Sequence, residues 1–192
     1  MLDKSMVLFI KKDEKTEKRT KPGNLTVPGL NINSSKRRRG KMIKITFMGA
    51  GSTVFARNVL GDCMCTPALC ESEIALYDID AKRLEASRII LSAINHNVNR
   101  DRAVIKTYLG VENRKDALRN ADFVVNAIQV GGYEPCTVID FEIPKKYGLR
   151  QTIADTLGIG GIMRALRTIP VLEEFARDME EVCPNKIGRA HV

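Results

Sequence analysis

No stretch of this sequence approaches the roughly 20 consecutive apolar residues that a membrane-crossing helix needs. The short apolar run from Met6 to Ile10 leads into charges where an export signal would carry a small-residue cleavage site. Neither a membrane partner nor export is therefore expected. Cysteine is sparse and odd in number: Cys63, Cys65, Cys70, Cys136 and Cys183 form no repeated CxxC pair and no dense disulfide framework. That usage fits a reducing cytoplasm. Cys63, Cys65 and Cys70 lack a nearby fourth ligand and read as small thiols, not a zinc cluster. Histidine is nearly missing, and His96, flanked by Asn95 and Asn97 in a helical stretch, reads as a polar surface residue. No metal site is expected within this chain.

A charge imbalance is missing as well, except at one end. The formal net charge is +8, but residues 1–41 carry 12 Lys/Arg against 4 Asp/Glu, which leaves 19 of each sign in residues 42–192. The basic excess that would suggest a nucleic-acid partner thus belongs to a leader, and none is expected for the neutral body. The leader is Lys-rich, contains Pro22 and Pro28, and sustains neither a helical nor a strand period, so a disordered segment is expected over 1–41. Its tandem arginines, Arg37 to Arg39, back-translate to the AGG-rich tract that bacterial ribosomes bind ahead of a start codon, so synthesis is expected to begin at Met42. Residues 187–192 back-translate to a common sequencing adapter, and 186–192 are expected to be an artefactual tail. One incomplete domain over 42–185 remains.

Within it, residues 42–48 are a short β-rich run followed at once by Gly49-Ala50-Gly51-Ser52 and then by a helical stretch over 53–62, with Ser52 or Thr53 near its cap. Strand, glycine turn and helix suit a dinucleotide. Gly49 would permit the tight turn, and Gly51 would let backbone amides approach a pyrophosphate at the positive end of the helix. Val54 stands where the third glycine of GxGxxG would be, so an ordinary βα turn remains the alternative. A second β run over 74–77 ends in Asp78-Ile79-Asp80. A carboxylate there, 27 residues after Gly51, would hold the adenosine ribose hydroxyls and repel a 2′-phosphate, favouring NAD over NADP. Asp80 reads as the cap of the next helix. That helix spans 81–97, with Leu84, Ile89, Leu91 and Ile94 as its apolar positions. Further elements are expected near 103–108 (strand), 114–120 (helix) and 122–127 (strand). The order predicts a Rossmann-like, doubly wound parallel sheet with right-handed crossovers, truncated before a carboxyl-terminal catalytic domain. Asn126 then ends a strand beside the glycine turn, on the nicotinamide side.

The residues after this strand are more specific. Gln129-Val-Gly131-Gly132-Tyr-Glu-Pro135, Asp140-Phe-Glu-Ile-Pro144-Lys-Lys-Tyr-Gly148, Thr152-Ile-Ala-Asp155-Thr-Leu-Gly158-Ile-Gly160-Gly161 and Arg164-Ala-Leu-Arg167-Thr-Ile-Pro170, with Ile45 to Thr53, together resemble family 4 glycoside hydrolases, and within them the α-galactosidase (melibiase) branch. The resemblance covers 42–185. Phospho-glycosidase members carry an arginine in the loop after the glycine pair, and residues 133–139 contain none, which favours an unphosphorylated sugar.

The resemblance implies an enzyme that uses NAD and Mn²⁺. It oxidises an α-galactoside transiently at C3, a tyrosine removes the acidified C2 proton, the aglycone is eliminated, and water adds before the hydride returns. It implies cofactor contacts at Gly49, Ala50, Gly51, Ser52, Thr53, Asp78, Asn126, Gly131 and Gly132, and substrate contacts at Asn126 and Gly160. Asp155 matches the acidic position that raises the basicity of the catalytic tyrosine; a helix-capping role is the alternative. Arg164 and Arg167 could reach phosphate or sugar oxygens, or form helix-face salt bridges. The catalytic tyrosine and the Cys and His metal ligands of the family lie beyond residue 185, so this chain alone is expected to be inactive, and the full-length protein to be a homo-oligomer. An α-glucosidase or α-galacturonidase of the same family, or a 2-hydroxy-acid dehydrogenase sharing the fold, remain the alternatives.

Overall fold

The structure, a computed structural model, describes residues 7–9, 42–151 and 158–184. Its elements run β1 (Val7–Phe9), β2 (Ile43–Met48), α1 (Thr53–Cys65), β3 (Ser72–Asp78), α2 (Ala81–Asn99), β4 (Val104–Leu109), α3 (Arg114–Leu118), β5 (Phe123–Asn126), α4 (Val138–Lys146) and α5 (Ile159–Val182). A 3₁₀ turn at Val111–Asn113 leads into α3, and a π-type turn at Gly132–Thr137 leads into α4. The sheet order is β1-β5-β2-β3-β4, and β4, β3, β2 and β5 are mutually parallel. This is the doubly wound arrangement expected from the alternation of strands and helices.

Two cores follow from the pleat. Successive strand side chains point to opposite faces, so Ile45 and Phe47 of β2, Ile74 and Leu76 of β3, and Val125 of β5 enter one apolar cluster with Leu60 of α1 and Leu84 and Leu91 of α2. Met48, Tyr77 and Val124 enter the other, with Ala117 and Leu118 of α3 and Phe175 and Met179 of α5. A sheet covered on both faces needs nearly continuous apolar strands, and β2 is buried along five of its six residues. Each fully buried Phe, Leu or Ile contributes about 1.5–3 kcal/mol.

Polar staples fix the helices to this frame. The Asp80 side chain accepts from the Arg83 amide at 3.0 Å and caps α2, as expected. Asn95 exchanges two hydrogen bonds with Ala103, and Asn99 donates to the Cys70 carbonyl at 2.8 Å, fastening the end of α2 to β4 and to the loop before β3. Buried Arg114 joins α3 to α5 through Asp178 at 2.5 Å and Glu174 at 3.0 Å, and lies over the Phe175 ring.

Three features depart from the sequence reading. Val7–Phe9 form a strand, paired antiparallel with β5, within a leader for which no packed element was expected; they lie in its one apolar run. The helix α4 was not anticipated, because Val138, Ile139 and Ile143 are exposed while Asp140 is buried, the inverse of an amphipathic pattern. Finally, α5 starts at Ile159, ahead of the expected 162. A smaller departure is Ile89 of α2, which is exposed because the buried face of that helix runs through Leu84, Ser87 and Leu91. Among the described residues no helix is long and apolar enough to cross a membrane.

Candidate functional site

The glycine turn lies at the carboxyl end of β2. Gly49 has φ +86°, a left-handed backbone that disfavours any side chain, and a Cβ there would lie 2.7 Å from the Ala127 carbonyl. The amides of Gly49 and Ala50 both donate to the Tyr77 carbonyl at 2.9 Å, which pins the turn to the end of β3. Buried Ala50 in turn accepts from the Ser87 hydroxyl at 2.5 Å, so α2 holds the turn from below. Ser52 occupies the N-cap of α1, and the Thr53 hydroxyl donates to the Gly51 carbonyl at 3.4 Å.

Asp78 ends β3 directly beside this turn. Its Oδ2 accepts from the Gly51 amide at 2.6 Å and its Oδ1 from the Asp80 amide at 2.9 Å. The reason for glycine at 51 is thereby sharpened. A Cβ would meet the Asp78 carboxylate at 2.7 Å and the Arg83 Cβ at 2.9 Å, so the missing side chain makes room for Asp78 itself. A carboxylate offers about four lone-pair positions, and two of those on Asp78 are used by the protein.

Asn126 ends β5, paired in register with Met48, and is buried. Its Oδ1 accepts from the Ile128 amide at 3.3 Å. The turn, Asp78 and Asn126 thus converge at the carboxyl ends of three adjacent parallel strands, β3, β2 and β5. The connection order reverses between β2 and β5, and crevices at such switch points are where open α/β sheets bind ligands. Gly131 and Gly132 follow, with φ +85° and +64°. The Thr137 hydroxyl holds their turn by donating to the Gly132 carbonyl at 3.2 Å.

Other anticipated positions lie elsewhere or in different company. Asp155 falls outside the described residues. Gly160 is buried, its amide donating to Gln151 at 2.8 Å, and a Cβ would lie 2.7 Å from the Asp140 carbonyl, so its bareness serves helix packing. Arg167 makes a two-pronged ion pair with the buried Asp140 and donates to the Val130 carbonyl at 3.4 Å, the salt-bridge alternative of the sequence reading. That contact ties α5 to α4 and to the loop leaving β5. Nothing in the sequence singles out Asp140 as its partner, 27 residues away. His96 is exposed and pairs with Asp101 at 2.8 Å. Of the three clustered cysteines Cys70 is buried, Cys63 half-buried with its thiol pushed up by burial, and Cys65 exposed. Among the described residues no three His, Cys, Asp or Glu group into a possible metal site.

A family model described as family 4 glycosyl hydrolase matches residues 44–187. An α-galactosidase of Bacillus subtilis (strain 168) is 64% identical over 144 residues, covering 75% of this chain and 32% of that protein. An α-galacturonidase of Thermoanaerobacter italicus is 34% identical over 142 residues, covering 74% and 29%. Among solved structures, the 6-phospho-β-glucosidase of Thermotoga maritima with manganese, NAD⁺ and glucose-6-phosphate aligns with a TM-score of 0.57 and 28% identity, over 73% of this chain and 32% of that one. The chain spans about a third of the length of these relatives.

Proposed function

This chain belongs to family 4 of the glycosyl hydrolases, and on that premise we propose that it forms the dinucleotide-holding part of an NAD- and divalent-metal-dependent glycosidase acting on α-galactosides. The observation that carries the cofactor half is the convergence of the Gly49–Gly51 turn, Asp78 and Asn126 at adjoining strand ends. The substrate class rests on 64% identity to an α-galactosidase.

The residues fit a dinucleotide. Asp78 keeps two acceptor positions after bonding Gly51 and Asp80, enough for the two hydroxyls of an adenosine ribose, and its charge opposes a 2′-phosphate. Ser52 and Thr53 stand at the start of α1, where phosphate charge is favoured, and Gly49 and Ala50, their amides committed to the Tyr77 carbonyl, shape the turn that would carry the pyrophosphate. Asn126, Gly131 and Gly132 border the nicotinamide side, and Asn126 carries the proposed substrate contact. NAD, when bound, takes a hydride from the sugar and returns it within one turnover. Asp155 is proposed as a positioning residue that strengthens a tyrosine base supplied by the rest of the longer protein. No step is assigned to Mn²⁺, since the described residues offer it no donor set.

Two measurements test the proposal. Titration of this chain with NAD and NADP should show tighter binding of NAD, abolished by Asp78→Ala; equal binding of both would refute the role of Asp78. A chimera carrying residues 44–184 in place of the matching part of the Bacillus subtilis α-galactosidase should release nitrophenol from a nitrophenyl α-galactoside without net NADH, given NAD and Mn²⁺. Release from the galacturonide alone would support the α-galacturonidase alternative, and accumulating NADH a dehydrogenase. The chain by itself should show no turnover.

A further inference from the structure

We propose that the outer edge of β5 is a strand-accepting site, held in this chain by Val7–Phe9 and belonging, in longer relatives, to a strand delivered from beyond α5. The inference rests on topology and is independent of the cofactor reading. In the register observed, Val7 pairs with Asn126, Leu8 with Val125 and Phe9 with Val124. Among the described residues this is the only antiparallel pairing, the other strands running parallel, and β1 comes from a leader, not from a crossover.

The geometry of α5 indicates the other occupant. Helices α1 and α2 cover one face as the chain steps from β2 to β3 to β4, and α3 covers the other as it returns to β5. The carboxyl-terminal half of α5 packs on the same face as α3. A right-handed crossover through α5 therefore continues in the same direction and lays the next parallel strand outside β5. The end of α5 is also at the right level. The Asn120 amide donates to the Val182 carbonyl at 3.2 Å, and Asp122, two residues on, bonds the Lys44 carbonyl at the foot of the sheet. The chain thus leaves α5 beside the start of β5, where a parallel neighbour would begin.

An exposed edge with unpaired backbone groups templates pairing between molecules. The leader strand satisfies that edge from within the same chain. A strand arriving from beyond α5 would have to displace it, because both need the same row of β5 amides and carbonyls.

Amide hydrogen exchange on the full chain tests this. Proline cannot donate to a ladder, so Leu8→Pro or, if the opposite set of amides faces β5, Val7→Pro/Phe9→Pro should speed exchange of the outward β5 amides within Val124–Asn126 at least about tenfold. The amides of β2 and β3 should be unaffected. A synthetic peptide of residues 1–15 added in trans should restore the protection. Unchanged β5 exchange in both variants overturns the proposal, as does a loss spread over the whole sheet that the peptide does not reverse. In a second Bacillus subtilis chimera, carrying residues 1–184 so that the leader is present, the same substitutions should leave β5 protected. An equal loss there would overturn the displacement.

Discussion

Asp78 sits where two requirements meet, since it braces the glycine turn through the Gly51 amide and is the group proposed to bind a ribose. The two roles can be separated by substitution. Gly51→Ala inserts a methyl 2.7 Å from the carboxylate oxygen, so the carboxylate must move and its charge-assisted bond is lost. A stability loss of about 1.5–3 kcal/mol is expected from the urea midpoint, together with weaker NAD binding. In an Asp78→Ala background the same change should cost much less, because the group it displaces is gone. Equal costs in both backgrounds would contradict the contact. At this scale much was readable from sequence. Gly49, Gly51, Asp78 and the capping Asp80 act through local backbone chemistry, and spacing reports such chemistry well. Gly51 reads from sequence as an opening for a pyrophosphate, whereas the structure fills the space of its missing side chain with the Asp78 carboxylate, which also takes its amide.

Helix α5 is held by ion pairs at two levels. Near its carboxyl end Arg114 is buried with Asp178 against Phe175, and further toward its start Arg167 grips Asp140 of α4. Removing one partner of a buried pair strands the other charge. Arg167→Met should therefore cost about 3–5 kcal/mol, somewhat less to the extent that solvent reaches the guanidinium. Had Arg167 served mainly a ligand, its loss would leave the thermal midpoint nearly unchanged while weakening binding, so a melting curve separates the two roles. The elements that escaped the sequence reading did so for one reason. A buried Asp140 under exposed Val138, Ile139 and Ile143 is stable only because an arginine far along the chain reaches it, and a three-residue strand in a charged leader is defined only by the edge it joins. Periodicity reports neither.

The molecule as a whole should respond to acid through the foot of its sheet. There Glu73 bonds Lys106 at 2.8 Å and lies 3.5 Å from Lys44. Burial by itself would raise the Glu73 carboxyl, but the two ammonium groups outweigh it and hold it below its ordinary value of 4.5. A carboxyl lowered on folding stabilises the fold fully above its unfolded value, and that contribution disappears as pH falls through the folded one. Urea midpoints measured from neutral pH downward should therefore decline below about pH 4.5, less steeply in Glu73→Gln; parallel profiles would exclude this group as a source. At the opposite end of the sheet the architecture has a mechanical consequence. With 24 residues, α5 is a rod roughly 36 Å long at 1.5 Å per residue. Phe175, Met179 and Val182 clamp one half, while Ile162, Leu166 and Ile169 leave the other half bare, at 55%, 70% and 59% exposure. A rod held this way is a propped beam: without its outer supports, a tilt of about 5° at the clamp would sweep the tip, some 20 Å away, by nearly 2 Å. The Arg167–Asp140 pair acts as a guy-line partway along it, and Gly160, buried against the Asp140 carbonyl and bonded to Gln151, moors the tip as a second stay.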